Sequence, residues 1–484
     1  MLIPSEFARL AVTHGTVSTI SDPHEIANVL GIDGVKYMIQ NGKQVPFKFH
    51  FGAPSCVPAT PFETAGAEVD AKDIDELLQM DEVVYLAEMM NFPGVLNEDP
   101  IVMEKIALAK KYNKPVDGHA PGLRGDDAAK YISAGISTDH ECFTAEEALD
   151  KLKHGMHILI REGSAAKNFE ALIGLLDEHA DKIMFCSDDK HPNNLVEGHI
   201  NQLVKRALDK GNDLMKVLRA SSYNVIKHYN LNVGLLQEGD SADFIVVNDL
   251  ENWKVEATYI MGYKVAEKGM TNIKSIEAKV VNQFTSYKLD PSSIQVKAES
   301  NRIRVIQALD GQLITKALEF DMTAQNGLIE SDVEQDVLKL VVVNRYAEAP
   351  PAVAFVNNFG LKSGALASTV AHDSHNIIAI GTNDEDILNA IHALMESKGG
   401  VSLSNGREAM EVALSVAGLM SHRDGYEIAQ AYDDIDRRSR ELGASLVSPY
   451  MTLSFLALLV IPDLKLSDKG LFDGTTFTFS SLFV

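Results

Sequence analysis

Cysteine is nearly absent: Cys56, Cys142 and Cys186 are the only three in 484 residues, and no two of them form a Cys-x-x-Cys pair. That excludes a disulfide framework and a cysteine-rich metal site, and makes a reducing compartment, the cytoplasm, the expected setting. Positive charge is also scarce, with 44 Lys and Arg against 68 Asp and Glu and a net charge of -24. Binding to nucleic-acid phosphates rests on cationic contacts, so no nucleic-acid partner is expected; a small uncharged substrate suits the balance better. No segment approaches the ~18 uninterrupted apolar residues of a membrane span. The apolar run from Met451 to Val460 is too short for one and is expected in the core. The first ten residues lack a basic region followed by an apolar stretch, so no signal peptide is expected. No glycine-rich phosphate loop follows an early strand, which weighs against an open nucleotide-binding sheet.

With 45% hydrophobic and 23% charged residues the composition is that of an ordinary globular protein, and the length calls for two or three domains. The first half reads as strand-before-helix units. Asp99 and Pro100 start a helix over 101–111, as a cap and a first-turn proline. A strand from Val116 to His119 follows, then a helix over 126–133 that stops at Gly135. The next strand is Ile136 to His140, and Thr144 with Glu147 forms a capping box for a helix ending near Gly155. A strand from His157 to Arg161, a helix from Phe169 to His179 and a strand from Ile183 to Ser187 complete the run. Earlier strands fall at Val17–Ser21, Phe47–Gly52 and Val83–Glu88. Repetition of this unit argues a parallel sheet. Seven strands make an α/β (β/α)8 barrel one strand short, over residues 1–228. Turn-rich β sequence over 229–285 reads as the remainder of a small β-sandwich domain. Residues 286–484 read as a C-terminal α/β domain, with strands near Leu340 and Ile377 and helices over 384–397 and 407–420.

Four of these strands end on a group able to bind metal or move protons: Glu88, His119, His140 and Asp188. Residues that close successive strands of a parallel barrel point into one mouth, where such barrels hold their chemistry. Taken singly each has a plainer reading, a strand-end ion pair for Glu88, a backbone-bonded loop residue for each histidine, a turn for Asp188 and Asp189. Their shared register favours a common site. Carboxylates mixed with neutral imidazoles suit Mn, Fe or Zn better than Ca or Mg. A carboxylate such as Glu88 can bridge two such ions, and metal binding lowers the pKa of water from 15.7 to about 7.

The linked motifs make the reading specific. They are Pro4-Ser-Glu-Phe-Ala-Arg, Ser21-Asp-Pro-His24-Glu25-Ile-Ala-Asn, Gly52-Ala-Pro-Ser-Cys56-Val-Pro-Ala, Ala87-Glu88-Met-Met-Asn, Asp117-Gly-His119-Ala-Pro-Gly and Thr138-Asp-His140-Glu. Arg161-Glu-Gly-Ser164, Cys186-Ser-Asp188-Asp189-Lys-His-Pro, His372-Asp-Ser-His375-Asn and Pro449-Tyr-Met-Thr-Leu-Ser-Phe extend them almost to the end. Together they resemble the adenine deaminase family of the amidohydrolase superfamily. The resemblance implies a hydrolase of cyclic amidines that removes the 6-amino group of adenine, giving hypoxanthine and ammonia in purine salvage. It implies a two-metal centre of Mn2+ or Fe2+, with Zn2+ less favoured. Glu88, His119 and His140 would be ligands, and Asp188 a ligand and proton shuttle with Asp189 as its substitute. Glu25, Arg161 and Ser164 would lie near the purine. A homodimer is expected. His372 and His375, outside the barrel, could cap the mouth or bind metal, with a solvated loop pair the commoner expectation, and His14, His50, His154 and His157 are expected as structural.

The sequence departs from the family at its start, where no His-x-His strand precedes Pro4. The expectation is a chain begun late, which binds metal poorly and deaminates adenine weakly. The alternatives are another cyclic-amidine or cyclic-amide hydrolase, or a non-catalytic barrel kept as an interaction protein. A small-fold zinc nucleoside deaminase would need Pro-Cys-x-x-Cys, which the three cysteines cannot supply.

Overall fold

The computed structural model describes residues 1–406 and 408–484. Seven short strands form the first half: β1 Ser18–Ser21, β2 Lys48–Ala53, β3 Val83–Met89, β4 Val116–Gly118, β5 Thr138–Asp139, β6 His157–Arg161 and β7 Ile183–Cys186. Neighbours in sequence pair in parallel from β1 to β4 and from β5 to β7. A parallel bridge between Val116 and Ile136 joins the two runs. Among the described residues β1 and β7 each have a partner on one side only, so the curled sheet is open between them. Val83, Leu86, Val116, Ile136, Ile158 and Ile183 are all essentially inaccessible and share one core with the surrounding helices.

Local sequence explains the helix starts. Asp99 accepts the amides of Ile101 and Val102, and Pro100 takes the first turn, where its lack of an N–H costs nothing. Thr144 accepts the amide of Glu147 at 3.2 Å, but Glu147 does not return the bond. Its carboxylate instead takes the amides of Phe143 and Gly122 and the ammonium of Lys151. The helix expected from Phe169 to His179 is two short helices split by a 3-10 turn over Ile173–Leu175, with Gly174 at its centre.

Helix α1, Pro4–Ala11, packs against a second, antiparallel sheet. That sheet is built of β8 Phe244–Val247, β9 Val255–Ile260, β10 Tyr263–Glu267 and β11 Met270–Thr271, in the order β11-β10-β9-β8. Thr258 donates to the Val12 carbonyl at 2.7 Å, and Ala8, Ala11, Ile260 and Val265 share a small core.

The third region differs from the expected alternation of strands and helices. Its centre is an eight-stranded, largely antiparallel sheet around the fully buried strand Val337–Val343, flanked by the helix Asp384–Ser397. The expected helix over 407–420 is instead the strand Glu408–Ala413, paired with Gly400–Asn405 (Arg407 lies outside the described residues). Gly406, at φ 63°, takes up the left-handed backbone of the reversal. Helix-forming residues in 408–413 are overridden by that pairing.

The third region docks onto the loop after β2. Thr64 donates its amide to Asp468 at 2.9 Å, Ser467 donates to the Phe62 carbonyl at 3.0 Å, and Asn376 donates to the Thr64 carbonyl at 2.9 Å. Between them Glu63 is buried with one carboxylate oxygen unpartnered. Burial, reinforced by the Asp373 charge, pushes its pKa up to about 8. The folded protein therefore holds a proton there that the unfolded chain has released, and stability is lost as pH rises through about 8. Glu63→Gln is expected to flatten that loss. Its melting temperature should gain on the wild type between pH 5 and pH 8.5, which calorimetry at the two pH values checks.

Candidate metal centre

Strand register brings the centre together. Glu88 is the penultimate residue of β3, His119 and His140 directly follow β4 and β5, and Asp22 directly follows β1. Glu88 Oε2 lies 2.8 Å from His119 Nδ1 and 3.1 Å from His140 Nε2. The two imidazole rings stand 5.4 Å apart, nearly edge to face. Glu88 Oε1 lies 3.6 Å from His24 Nδ1, which is 3.1 Å from Asp22 Oδ2. Glu88, His119 and His140 thus form one set of converging ligand atoms and Asp22, His24 and Glu88 another, with the Glu88 carboxylate common to both.

The electrostatics follow from this crowding. Burial alone raises the Glu88 carboxyl, but His119 and His140 outweigh it and hold it well below the usual range. Burial likewise lowers both imidazoles, yet Glu141 and Glu88 raise His119, and Glu88 brings His140 to about 10. Glu141, inaccessible to solvent, lies 3.4 Å from His140 Nε2 and 3.7 Å from His119 Nδ1.

Asp188, in the left-handed region at φ 52°, turns its carboxylate to Arg161. Arg161 is 2% exposed and also grips Glu141 with both terminal nitrogens, one contact being 3.0 Å. Desolvation raises the Asp188 carboxyl and Arg161 more than reverses this. Asp189 is half exposed and lies 3.7 Å from His372 Nε2. Ser164 faces away from the centre: its hydroxyl donates to Asn194 at 2.6 Å and accepts the His191 amide.

His372 and His375 correct the expectation of a solvated pair. They are 4% and 0% exposed, and both press on the Glu25 carboxylate, His372 Nδ1 at 2.8 Å. The His372 ring stacks on Phe455 with centroids 4.3 Å apart and planes 8° from parallel. Glu25, Glu141, Arg161, Asp188, Asp189 and His372, but neither Ser164 nor His375, line a cavity of about 1010 Å³, bounded by β1, β7, Glu88, His119 and His140 on one side. His372, Met451, Phe455 and Leu458 of the C-terminal region bound it on the other. Asp22 and His24 are functional candidates that the sequence reading passed over. The signal was present, since Asp22 ends β1 as Glu88 nearly ends β3.

The amidohydrolase family profile matches residues 1–265, and the profile of the adenine deaminase C-terminal domain matches residues 312–478. An adenine deaminase from Salinibacter ruber is 54% identical over 486 aligned positions, which cover 100% of this chain and 89% of that protein. An adenine deaminase from a Sulfurovum species is 55% identical, covering 99% of this chain and 89% of its own length. One from Methanosarcina barkeri is 50% identical at 100% and 89% coverage. The chain belongs to the adenine deaminase family. In this member of the family the amidohydrolase segment carries Glu88, His119, His140 and Asp188, and the C-terminal segment closes the same cavity with His372 and Phe455.

Proposed function

We propose that the protein hydrolyses adenine to hypoxanthine and ammonia in purine salvage, through a binuclear divalent-metal centre. The observation that carries the reading is one carboxylate, Glu88, shared by two convergent ligand sets in the cavity of an adenine deaminase family member. The residues suit a metal: His119 Nε2 and His24 Nδ1 are buried ring nitrogens without a hydrogen-bond partner. Mixed imidazole and carboxylate donors favour Mn2+ or Fe2+, with Zn2+ less favoured. Glu88, His119, His140 and Asp188 would hold it, joined by Asp22 and His24. Bound metal would supply Lewis acidity and a water acidic enough to attack at neutral pH.

This chain's own groups supply the rest. Asp188 takes the proton released when water adds to C6 of the ring and delivers it to the departing amino nitrogen. Arg161 keeps Asp188 ionised and aimed, so its contact with purine is through that carboxylate. Glu25 lies on the cavity wall and fits a role beside the ring. Ser164, bonded to Asn194, fits a positioning role. Asp189 is the substitute for Asp188.

The architecture we propose is an amidohydrolase barrel over 1–228 one strand short, a small β domain over 229–285 and a C-terminal domain over 286–484. The free edges of β1 and β7 support the first part. The reading extends to a homodimer in the cytoplasm, which sedimentation and fractionation test. Adenine and close analogues, incubated with the purified protein and Mn2+, give the functional test. Equimolar hypoxanthine and ammonia are expected from adenine in preference to other purines. Release of ammonia from a different cyclic amidine but not from adenine would replace the reading.

A further inference from the structure

We propose that Tyr131, which lies outside the cavity, is a positioning residue for the Glu88 centre, its hydroxyl setting the spacing between Glu88 and His119. This role rests on the metal-centre reading above. Tyr131 stands on the helix Gly125–Ser133, which buries Ala128 and Tyr131. It is 1% exposed and does not line the cavity.

The strands explain why a side chain is needed there. β3 and β4 pair in parallel with Leu86 opposite Val116 and Met89 opposite Gly118, so three steps along β3 face two along β4. A bulge of this kind interrupts the ladder and re-aims the side chains beside it. Glu88 lies within it. The Met89 carbonyl and the His119 amide meet through the Tyr131 hydroxyl, which donates to Met89 at 2.7 Å and accepts from His119 at 3.1 Å. A tyrosine hydroxyl can do both at once, and buried backbone groups left unpaired would be costly. Gly118 makes room for the ring: a Cβ there would stand 3.1 Å from Tyr131 Cε1.

Ser55, also buried, donates to the Glu88 carbonyl at 2.5 Å. Ser55 thus holds β3, whereas Tyr131 holds β3 and the His119 end of β4 together. Glu88 Oε2 and His119 Nδ1 stand 2.8 Å apart, so a small slip between the two strand ends changes how they share an ion. Groups that orient metal ligands in this way typically govern affinity by about tenfold to a hundredfold.

Tyr131→Phe keeps the ring against Gly118 and removes the hydroxyl alone. Equilibrium dialysis of the full chain against Mn2+ should show affinity at the Glu88 centre weakened by about tenfold or more. KM for adenine at saturating Mn2+ should stay near the wild-type value, because Tyr131 does not reach the cavity. Tyr450→Phe is the control: that hydroxyl, on a residue 2% exposed, donates to the Ser402 carbonyl at 2.9 Å in the C-terminal region. Its loss should lower urea resistance as Tyr131→Phe does, with Mn2+ affinity unchanged. Unchanged Mn2+ affinity in Tyr131→Phe, or the same weakening in Tyr450→Phe, would overturn the positioning role. Wild-type protein that retains no Mn2+ would instead overturn the Glu88 centre, and this role with it.

Discussion

Glu88→Gln is expected to lower adenine turnover by roughly 10³-fold or more and to strip Mn2+ from the centre. The size follows from the position of the carboxylate. It faces His119 and His140 with one oxygen and His24 with the other, so a single change weakens both ligand sets. Glutamine keeps the volume but removes the charge that neutralises divalent ions, and it turns an N–H2 toward one of the imidazoles. The fold should survive, because the β3 core around Val83 and Leu86 is untouched. Near-ultraviolet circular dichroism, dialysis against Mn2+ and a hypoxanthine assay on the same preparation separate these effects. Native dichroism with unchanged turnover would remove Glu88 from the chemistry.

The strand-end pattern placed Glu88, His119 and His140 together because a parallel sheet repeats the same geometry at each strand, whereas the Asp188 carboxylate turns to Arg161. The same rule reaches Asp22, which directly follows β1, the strand expected at Val17–Ser21. His372 and His375 were legible as a motif, but their partner Glu25 was not. Their burial depends on Glu25, far away in sequence, and no local pattern encodes which loop a docked domain brings to a cavity. Arg161 was legible as a residue of the centre, but its partners were not. Sequence gives its place at the end of β6, while Glu141 and Asp188 reach it from neighbouring loops. In the C-terminal region, strands such as Ile377–Gly381 declared themselves by β-branched apolar runs. The segment 408–413, Glu-Ala-Met-Glu-Val-Ala, reads equally well as a helix until its partner strand is known.

Arg161→Met is expected to destabilise the protein by about 3–5 kcal/mol, the usual result of breaking a buried ion pair from one side. The cost falls mainly on Glu141, which is 1% exposed and would be left beside two imidazoles and no guanidinium. Asp188 is partly open to the cavity and can turn to water, so its share is smaller. Adding Glu141→Gln should therefore recover much of the stability, whereas adding Asp188→Asn should recover little. Urea unfolding of the single and double variants measures both. Kinetics give the complementary reading. A group that acts through Asp188 lowers kcat when removed and leaves KM for adenine nearly unchanged, while a direct purine contact raises KM and spares stability. A raised KM with wild-type urea resistance would make Arg161 a substrate ligand and return Asp188 to the role of an independent carboxylate.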